Sequence, residues 1–228
     1  IISILLYAIN ISADNAGLWR YYPAYNGISE VDSISPKCIF VLSSGNLFSI
    51  NKQEGSVQTY DRITGLTDTG IKTMAWNSAA KVLMLIYDNS NIDLLNTNGE
   101  VTNIPDLYIK ETTLNKAVNH IFIKNNDAYL STGFGILKVD MKKAEVSDSY
   151  NLRSSIIKCY ADNNNIYALR DDNSVIFAAL SDNLLDYNTW QPYTGSRDGM
   201  FEDEKIKDSS PFELSGGMKR RVAIAGVI

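Results

Sequence analysis

Several residue types on which small catalytic and metal sites depend are scarce in this chain. Its 228 residues include one histidine and two cysteines, so we expect neither a histidine cluster for zinc nor a Ser–His–Asp triad. The 5 prolines and 14 glycines are too few for a collagen-like chain, and 45% hydrophobic residues are too many for a disordered one. A basic excess is missing as well. The formal net charge of -5 argues against a nucleic acid or an anionic membrane surface as partner.

Long apolar runs are also rare, and the first of them stands at residues 1–9 (IISILLYAI). It is too short to span a bilayer. The small residues Ser12 and Ala13 follow it and the first charge comes at Asp14, as in a secretory signal with its cleavage site. We therefore predict a truncated signal peptide at residues 1–13, export to the periplasm or the outer-membrane surface, and no transmembrane span. A buried first strand is the alternative.

The amino-acid composition changes after Tyr193. Asn, Tyr and Trp supply 38 of the first 193 residues and none of the last 35. A single composition would leave such a gap with a probability on the order of one in a thousand. We therefore divide the chain into a body at residues 14–193, a junction at 194–203 and a tail at 204–228.

The body consists of short alternating runs that are rich in strand-forming residues and end in Gly, Asn or Asp. This pattern predicts strands and hairpins rather than helices. The runs repeat as four units, which begin near Ile28, Ile71, Val118 and Ile156. Internal repetition of this kind indicates an architecture that is built from similar modules.

One apolar residue after a tight turn can be aligned between the four units. These residues are Leu47, Ile92, Ile136 and Val175, at spacings of 45, 44 and 39. A period near 40 with four short strands per unit is typical of propeller blades. The sequence thus predicts an all-β fold: a partial β-propeller of about four blades of four antiparallel strands, with a short C-terminal helical fragment. Later blades would be missing, and the open edges would favour self-association.

Three stretches of the body carry a resemblance to a known family. They are GLTDTGIKTMAWN from Gly65, IYDNSNIDLLN from Ile86 and AYLSTGFGILKVD from Ala128. In this order they resemble the N-terminal β-propeller of the PorZ family of the type IX secretion system of Bacteroidota. The resemblance implies a surface-exposed accessory protein that works with the sortase machinery and performs no chemistry in this domain. The Gly-Leu-Thr-Asp step also resembles the ligand-sensing propellers of two-component regulators.

The tail carries a different motif, Leu214-Ser215-Gly216-Gly217, between SPFE and RRVAIAG. It resembles the signature sequence of ABC ATPases of the energy-coupling-factor type. The resemblance implies that Ser215, Gly216 and Gly217 contact the γ-phosphate of an ATP bound mainly to a second subunit, where a helix N-terminus faces the anion. Met218 stands where that family usually has Gln.

The tail alone is not expected to hydrolyse ATP. No Gly in the sequence is followed by Lys, so there is no G-x-x-x-x-G-K-[ST] phosphate loop. A segment of this length is also too short to bury a core. We expect no catalytic residues, no metal and no cofactor, with ATP a ligand only if the tail belonged to a complete ATPase. The economical hypothesis is a chimeric reading frame, and a true fusion is the alternative.

The remaining candidate residues favour structural roles. His120 falls in a predicted strand and is expected to be packed there. Cys38 and Cys159 fall in different blades, too far apart for a disulfide. Asp171-Asp172 falls in a hairpin turn and is expected to be a pair of solvated turn acids rather than a glycosidase pair.

Aromatic and glycine motifs also favour packing and turns. Gly133-Phe134-Gly135 is expected to be a hairpin rather than a dinucleotide-binding loop. A carbohydrate platform that includes Trp19, Trp76 and Trp190 is the alternative to packing of these rings between blades.

Three classes of function remain. The favoured one is a non-enzymatic exported module, an accessory or scaffold part of a type IX secretion surface complex. Its partners would be proteins of an outer-membrane complex, with a lipopolysaccharide or glycan as a further candidate ligand. The alternatives are an ATP-binding subunit fragment of an energy-coupling-factor transporter and a ligand-sensing propeller.

Overall fold

The computed structural model describes residues 27–35 and 38–201, without the side chains of residues 33–35. These residues form sixteen strands in four sheets. The first sheet contains β1 Ile28–Ser35, β2 Cys38–Ser43, β3 Asn46–Asn51 and β4 Val57–Tyr60. The second contains β5 Ile71–Asn77, β6 Val82–Tyr87, β7 Ile92–Asn96 and β8 Val101–Ile104. The third contains β9 Val118–Lys124, β10 Asp127–Thr132, β11 Gly135–Asp140 and β12 Glu145–Asn151. The fourth contains β13 Ile156–Ala161, β14 Asn165–Arg170, β15 Val175–Ala179 and β16 Gln191–Pro192.

Each sheet is an antiparallel meander whose strands pair in chain order. The first strands start at Ile28, Ile71, Val118 and Ile156, which are the starts of the four repeat units. The predicted fold class, a partial propeller of four four-stranded antiparallel blades, is confirmed. The predicted signal peptide at residues 1–13 and the predicted helical tail at 204–228 lie outside the described residues.

Helical structure is slight in the described part of the chain. It consists of the one-turn helix α1, Asp106–Ile109, and a 3-10 helix at Tyr187–Thr189. Neither is long and apolar enough to cross a bilayer, and this holds for every helix among these residues.

Tight turns connect the strands where the sequence places residues that accept positive φ. Ser44 and Gly45 form the two-residue loop between β2 and β3, with φ of 50° and 75°. Positive φ at both positions matches the right-handed twist of the flanking strands. In the third sheet, a Cβ on Gly135 would lie 1.9 Å from the backbone O of Tyr150, and φ there is 152°. Gly135 is therefore required for the close approach of β11 to β12, and Gly133-Phe134-Gly135 is a hairpin turn as expected.

The core lies between successive sheets because the second strands are apolar on both faces. In β6, Met84 and Ile86 pack toward the third sheet, whereas Leu83 and Leu85 pack toward the first, and all four are 0% exposed. A further cluster between the third and fourth sheets includes Trp190. Strands that are buried on both faces read as continuous apolar runs, as propeller blades require.

Candidate functional site

The first strands of the four sheets line one cavity of about 410 Å³ on the common axis. Consecutive first strands are neighbours, in the order β1, β5, β9 and β13. The cavity is lined by residues 30–32, 74–76, 120–123, 158–160 and 199–201. This volume lies within the range of small-molecule sites in proteins, about 300–1,000 Å³. We therefore take this axial cavity as the candidate functional site.

Two carboxylates form the β1 wall of the cavity. Glu30 accepts hydrogen bonds from the Thr73 hydroxyl at 2.8 Å and from the Met74 backbone N–H at 2.9 Å. Asp32 accepts one from the Trp76 backbone N–H at 2.7 Å. The N–H groups on the edge of β5 thus find acceptors across the gap between the sheets, as unpaired strand edges require. These bonds join the first two sheets and fix both carboxylates in the wall.

Aromatic side chains of β9 and β13 also line the cavity. Phe122 of β9 and Tyr160 of β13 meet edge to face, with ring centroids 5.4 Å apart. Trp76 of β5 is half-buried and also lines the cavity. Lys158 donates from Nζ to the backbone O of Phe201 at 3.1 Å, so this ammonium group is bound to the segment that follows the fourth sheet. The cavity thus presents rings and charged groups of both signs.

The cysteines have no features of a reactive site. Cys38 and Cys159 are both present as thiols in the described part of the chain. Cys159 lines the axial cavity, and burial raises its pKa to about 12. Because the thiolate is the nucleophile, a thiol with this pKa is inert at neutral pH. His120 is half-buried on β9 and lines the same cavity. No group of three or more His, Cys, Asp or Glu among the described residues is arranged to hold a metal ion.

Asp171 and Asp172 lie in the exposed hairpin between β14 and β15. Asp172 accepts from the Ser174 hydroxyl at 2.6 Å and from its backbone N–H at 2.8 Å. These bonds from Ser174 hold the pKa of Asp172 below its usual value. The expectation of a solvated turn acid is confirmed for Asp172.

The two tryptophans in the described residues, Trp76 and Trp190, do not share a surface. Trp76 lines the axial cavity, whereas Trp190 is 6% exposed and donates from Nε1 to the Leu184 backbone O at 3.1 Å. The Trp190 ring also contacts that of Tyr150 at 6.3 Å between centroids. Packing between blades therefore accounts for Trp190, and Trp19 lies outside the described residues.

A buried polar network was missed by sequence reasoning. Asp93 of β7 is 0% exposed and accepts four hydrogen bonds. They come from the Thr67 N–H at 2.9 Å, the Thr67 hydroxyl at 2.7 Å, the Tyr87 hydroxyl at 2.6 Å and the Asn103 side-chain amide at 2.9 Å. Burial and the neighbouring carboxylate raise the pKa of Tyr87 far above its usual value, so its phenol remains a donor. The sequence signal that could have indicated this network is the acid Asp93, which stands within the apolar run Ile92–Asn96.

The network explains the structural role of the Gly65-Leu66-Thr67-Asp68 step. Leu66 is 5% exposed and packs into the cluster between the first two sheets. Thr67 is held by Asp93, so the connection from β4 to β5 is anchored at two successive residues. The Gly65-Leu66-Thr67-Asp68 step, whose sequence resembles the ligand-sensing propellers, thus serves as a connection between two blades. The predicted ATP contacts Ser215, Gly216 and Gly217 lie outside the described residues.

Comparison with known proteins identifies the body of the chain. The model of the PorZ N-terminal β-propeller domain of the type IX secretion system matches residues 39–191. The chain belongs to the PorZ N-terminal β-propeller family. Among solved structures it is similar to PorZ of Porphyromonas gingivalis, an essential surface component of the type IX secretion system, with a TM-score of 0.72 and 29% identity. This likeness covers 78% of the present chain and 24% of that one.

Two other known proteins are similar to this chain, one over most of its length and one over a short segment. The extracellular domain of a candidate one-component system from B. thetaiotaomicron has a TM-score of 0.57 at 16% identity, over 74% of this chain and 24% of that one, and shows the fold alone. The energy-coupling factor transporter ATP-binding protein EcfA2 of Clostridium tetani is 80% identical over 25 residues. That match covers 11% of this chain and 9% of the transporter protein. Both resemblances drawn from the sequence, to PorZ and to this ATPase, are confirmed.

The PorZ family match and the axial cavity do not coincide fully. The matched residues 39–191 include the aromatic wall on β9 and β13. The β1 carboxylates Glu30 and Asp32 precede the matched range, and residues 199–201 follow it. The cavity is therefore built from the family's propeller together with flanking residues of this chain.

Proposed function

We propose that this chain is a non-enzymatic, exported propeller module that acts as an accessory or scaffold part of a type IX secretion surface complex. The observation that supports it is the family match over residues 39–191, together with 29% identity to a surface component of that secretion system. The chain spans about a quarter of that relative. A role in one step of the assembly is therefore proposed rather than the whole relative's activity.

The chemistry of the described residues supports a binding role. The thiol that lines the axial cavity is protonated at neutral pH, because burial raises the pKa of Cys159 to about 12. The two wall carboxylates Glu30 and Asp32 are joined by hydrogen bonds to β5. Groups that are committed to holding two sheets together suit a rigid recognition surface better than proton transfer.

We propose outer-membrane proteins of the secretion complex as partners, with lipopolysaccharide or glycan as a further candidate ligand. Export to the periplasm or the surface is part of the same proposal, and the surface location of PorZ supports it. Self-association through open blade edges is a further outcome to be measured by light scattering during size-exclusion chromatography.

A domain exchange tests the secretion role. Residues 27–201 would replace the corresponding part of PorZ in Porphyromonas gingivalis, and the secretion of type IX cargo to the surface would be measured. We expect secretion to be restored to a level well above that of a strain without PorZ. The control exchange carries the propeller of the B. thetaiotaomicron extracellular domain, which shares the fold at 16% identity. A chimera that is stable and surface-located but secretes no more than this control would refute the proposal.

For the tail we propose a chimeric origin and no independent ATP site. The 25-residue match to EcfA2 supports a signature segment, and it covers 9% of that protein. We propose that Ser215, Gly216 and Gly217 would contact ATP only within a complete ATPase. Amplification of genomic DNA across the codons for residues 194–203 from a clonal strain tests whether the chimera is an assembly artefact, because a continuous product would contradict an artefact. Titration of the full chain with a fluorescent ATP analogue tests the second point, and saturable binding would overturn it.

A further inference from the structure

Two arginines meet at one tyrosine beside the third and fourth sheets, and none of the three residues lines the axial cavity. The guanidinium group of Arg153, on the connection from β12 to β13, lies 4.8 Å from the centroid of the Tyr187 ring. Arg170, the last residue of β14, donates from Nη2 to the Tyr187 hydroxyl at 3.0 Å. Three segments of the chain thus bring two cationic groups to one aromatic side chain.

The surrounding fold holds this arrangement in place. Tyr187 is half-buried and packs against the apolar cluster between the third and fourth sheets. Arg153 has a φ of 55°, which is uncommon for a residue other than glycine, and its backbone N–H donates to Asn151 Oδ1 at 3.0 Å. Backbone conformations of this kind cluster at functional sites, where the surrounding structure maintains them. A fixed turn therefore presents the Arg153 guanidinium over a fixed ring.

Neither guanidinium group has an anionic partner in this chain. The ion pairs of the described residues involve Lys138 and Lys143, and neither Arg153 nor Arg170 takes part in one. Arg170 Nε is buried and makes no hydrogen bond. Arg153 is exposed, and its side-chain N–H groups make no hydrogen bond either. These N–H groups lie in the plane of the guanidinium, in the fork geometry that matches a carboxylate.

The acids on the same connections are engaged within their own turns. Asp172 Oδ1 accepts from the hydroxyl and the backbone N–H of Ser174. Asp186 Oδ1 accepts from the backbone N–H and the side-chain amide of Asn188. Their negative charge opposes a phosphate dianion or a polyanion more strongly than a group with a single charge. The site therefore suits one carboxylate.

We propose that Arg153, Arg170 and Tyr187 form a binding site for a single carboxylate group, which a small organic acid or an acidic side chain of a protein partner supplies. The carboxylate accepts from the free N–H groups of Arg153, in the positive field of both arginines. Arginine–carboxylate pairs of this kind are among the stronger hydrogen bonds in proteins. Arginine and tyrosine are also residues in which the binding energy of protein interfaces concentrates. The proposal goes beyond the secretion role and does not depend on it.

Titration of the full chain, followed by the NMR signals of the arginine Nε–Hε groups, tests the proposal. The probes are butyrate and the acetylated, amidated tripeptide Ala-Glu-Ala. Their matched neutral ligands are butyramide and the corresponding Ala-Gln-Ala tripeptide. We expect each acid to bind at least about fivefold more tightly than its amide, because the charge and the two acceptor oxygens are recognised. Tighter binding of the acidic peptide than of butyrate would identify a protein side chain as the source, and equal affinity would identify a small acid.

Two pairs of variants locate the site. Arg153→Lys keeps the positive charge but loses the planar fork, and we expect it to weaken binding of the acids at least about threefold. Tyr187→Leu removes both the ring and the hydroxyl, and it should weaken binding by roughly threefold or more. The matched controls are Arg62→Lys, exposed on the connection from β4 to β5, and Tyr108→Leu, exposed on α1. Both should leave binding unchanged.

The comparison of acid and amide on the parent chain is decisive even if a variant fails to fold. Equal affinity for an acid and its amide, no binding of either acid, or tighter binding of inorganic phosphate than of both acids would overturn the proposal. So would unchanged affinity in Arg153→Lys and Tyr187→Leu, provided that their near-ultraviolet circular dichroism matches that of the parent chain. An equal loss in Arg62→Lys would also overturn it, since general surface charge would then account for binding.

Discussion

Replacement of Asp93 by Ala should cost more stability than any other single substitution of a polar residue in the second sheet. The carboxylate accepts hydrogen bonds from Thr67, Tyr87 and Asn103, and it is 0% exposed. Its removal leaves the Tyr87 hydroxyl without its carboxylate acceptor, in a side chain that is 1% exposed. Thr67 lies at the surface and can bond to water instead.

The magnitude follows from these contacts. A buried donor that loses its partner costs about 1–3 kcal/mol, and bonds to charged groups are at the upper end of this range. Tyr87 is such a donor, whereas the Asn103 amide keeps acceptors at Asn91 Oδ1 (2.9 Å) and the Ile92 backbone O (3.0 Å). We therefore expect a loss of roughly 2–3 kcal/mol in the free energy of unfolding. For a domain of this size the melting temperature falls by about 2–4 °C for each kcal/mol, so we expect a decrease on the order of 10 °C.

Urea denaturation, followed by tryptophan fluorescence and circular dichroism, measures the loss. We expect the midpoint to fall with little change in the slope, since the surface exposed on unfolding stays nearly the same. Asp93→Asn keeps one acceptor and the same shape, so its loss should be smaller. The control Asp127→Asn breaks an ion pair with Lys138 at 3.2 Å, and half-exposed pairs of this kind contribute at most about 1 kcal/mol. A loss below about 1 kcal/mol for Asp93→Ala would refute the reasoning.

Three further predictions concern other parts of the fold. Gly135→Ala would place a Cβ 1.9 Å from a backbone O of β12, so we expect the free energy of unfolding to fall by about 2–4 kcal/mol or the chain not to fold. The control is Gly27→Ala, whose Cβ would have no atom within 4 Å. It should change stability by less than about 0.5 kcal/mol in thermal melts. Hydrogen bonds from the backbone N–H groups two and three residues further along the chain hold the pKa of Asp140 below its usual value of 3.8. A carboxylate whose pKa is lower in the folded than in the unfolded chain stabilises the fold at pH values above its unfolded-state pKa. Asp140→Ala should therefore lower the melting temperature at pH 7, and the difference from the parent chain should shrink as the pH falls below about 4. Burial of Cys159 should prevent its reaction with a thiol reagent at pH 8 in the native chain, whereas the half-exposed Cys38 should react first. Mass spectrometry of the labelled peptides distinguishes the two thiols. Equal labelling rates would contradict the described burial of Cys159.

The parts of the fold that sequence predicted are those that depend on local patterns. Apolar runs such as Val82–Tyr87 and the turn residues Ser44 and Gly45 are visible within about ten residues. Recurrence at a fixed period then gave the number of blades and the strands in each. The aligned residues Leu47 and Ile92 are both 0% exposed in third strands, as an aligned core position requires.

The site was not predicted because its contacts are long-range. Glu30 reaches Met74 across 44 positions, and Asp93 reaches Thr67 across 26. An acid in a strand reads as solvent-facing unless the partner strand is known, and no local pattern names that partner. Alignment of the four first strands was the signal that could have shown the axial cavity, since their half-buried rings and charges recur at one edge of each sheet.

The contacts between β1 and β5 also decide what the functional unit of this chain is. The PorZ family match begins at residue 39, after β1 Ile28–Ser35, yet Glu30 and Asp32 supply acceptors to the backbone N–H groups of β5. A piece that begins at residue 39 would leave those N–H groups at an open edge and remove the acidic wall of the axial cavity. The same piece would end before residues 199–201, whose backbone binds Lys158. Residues 27–201 therefore contain all the described contacts that satisfy the edge of β5 and line the cavity, and the family boundary marks shared sequence rather than the limits of the site.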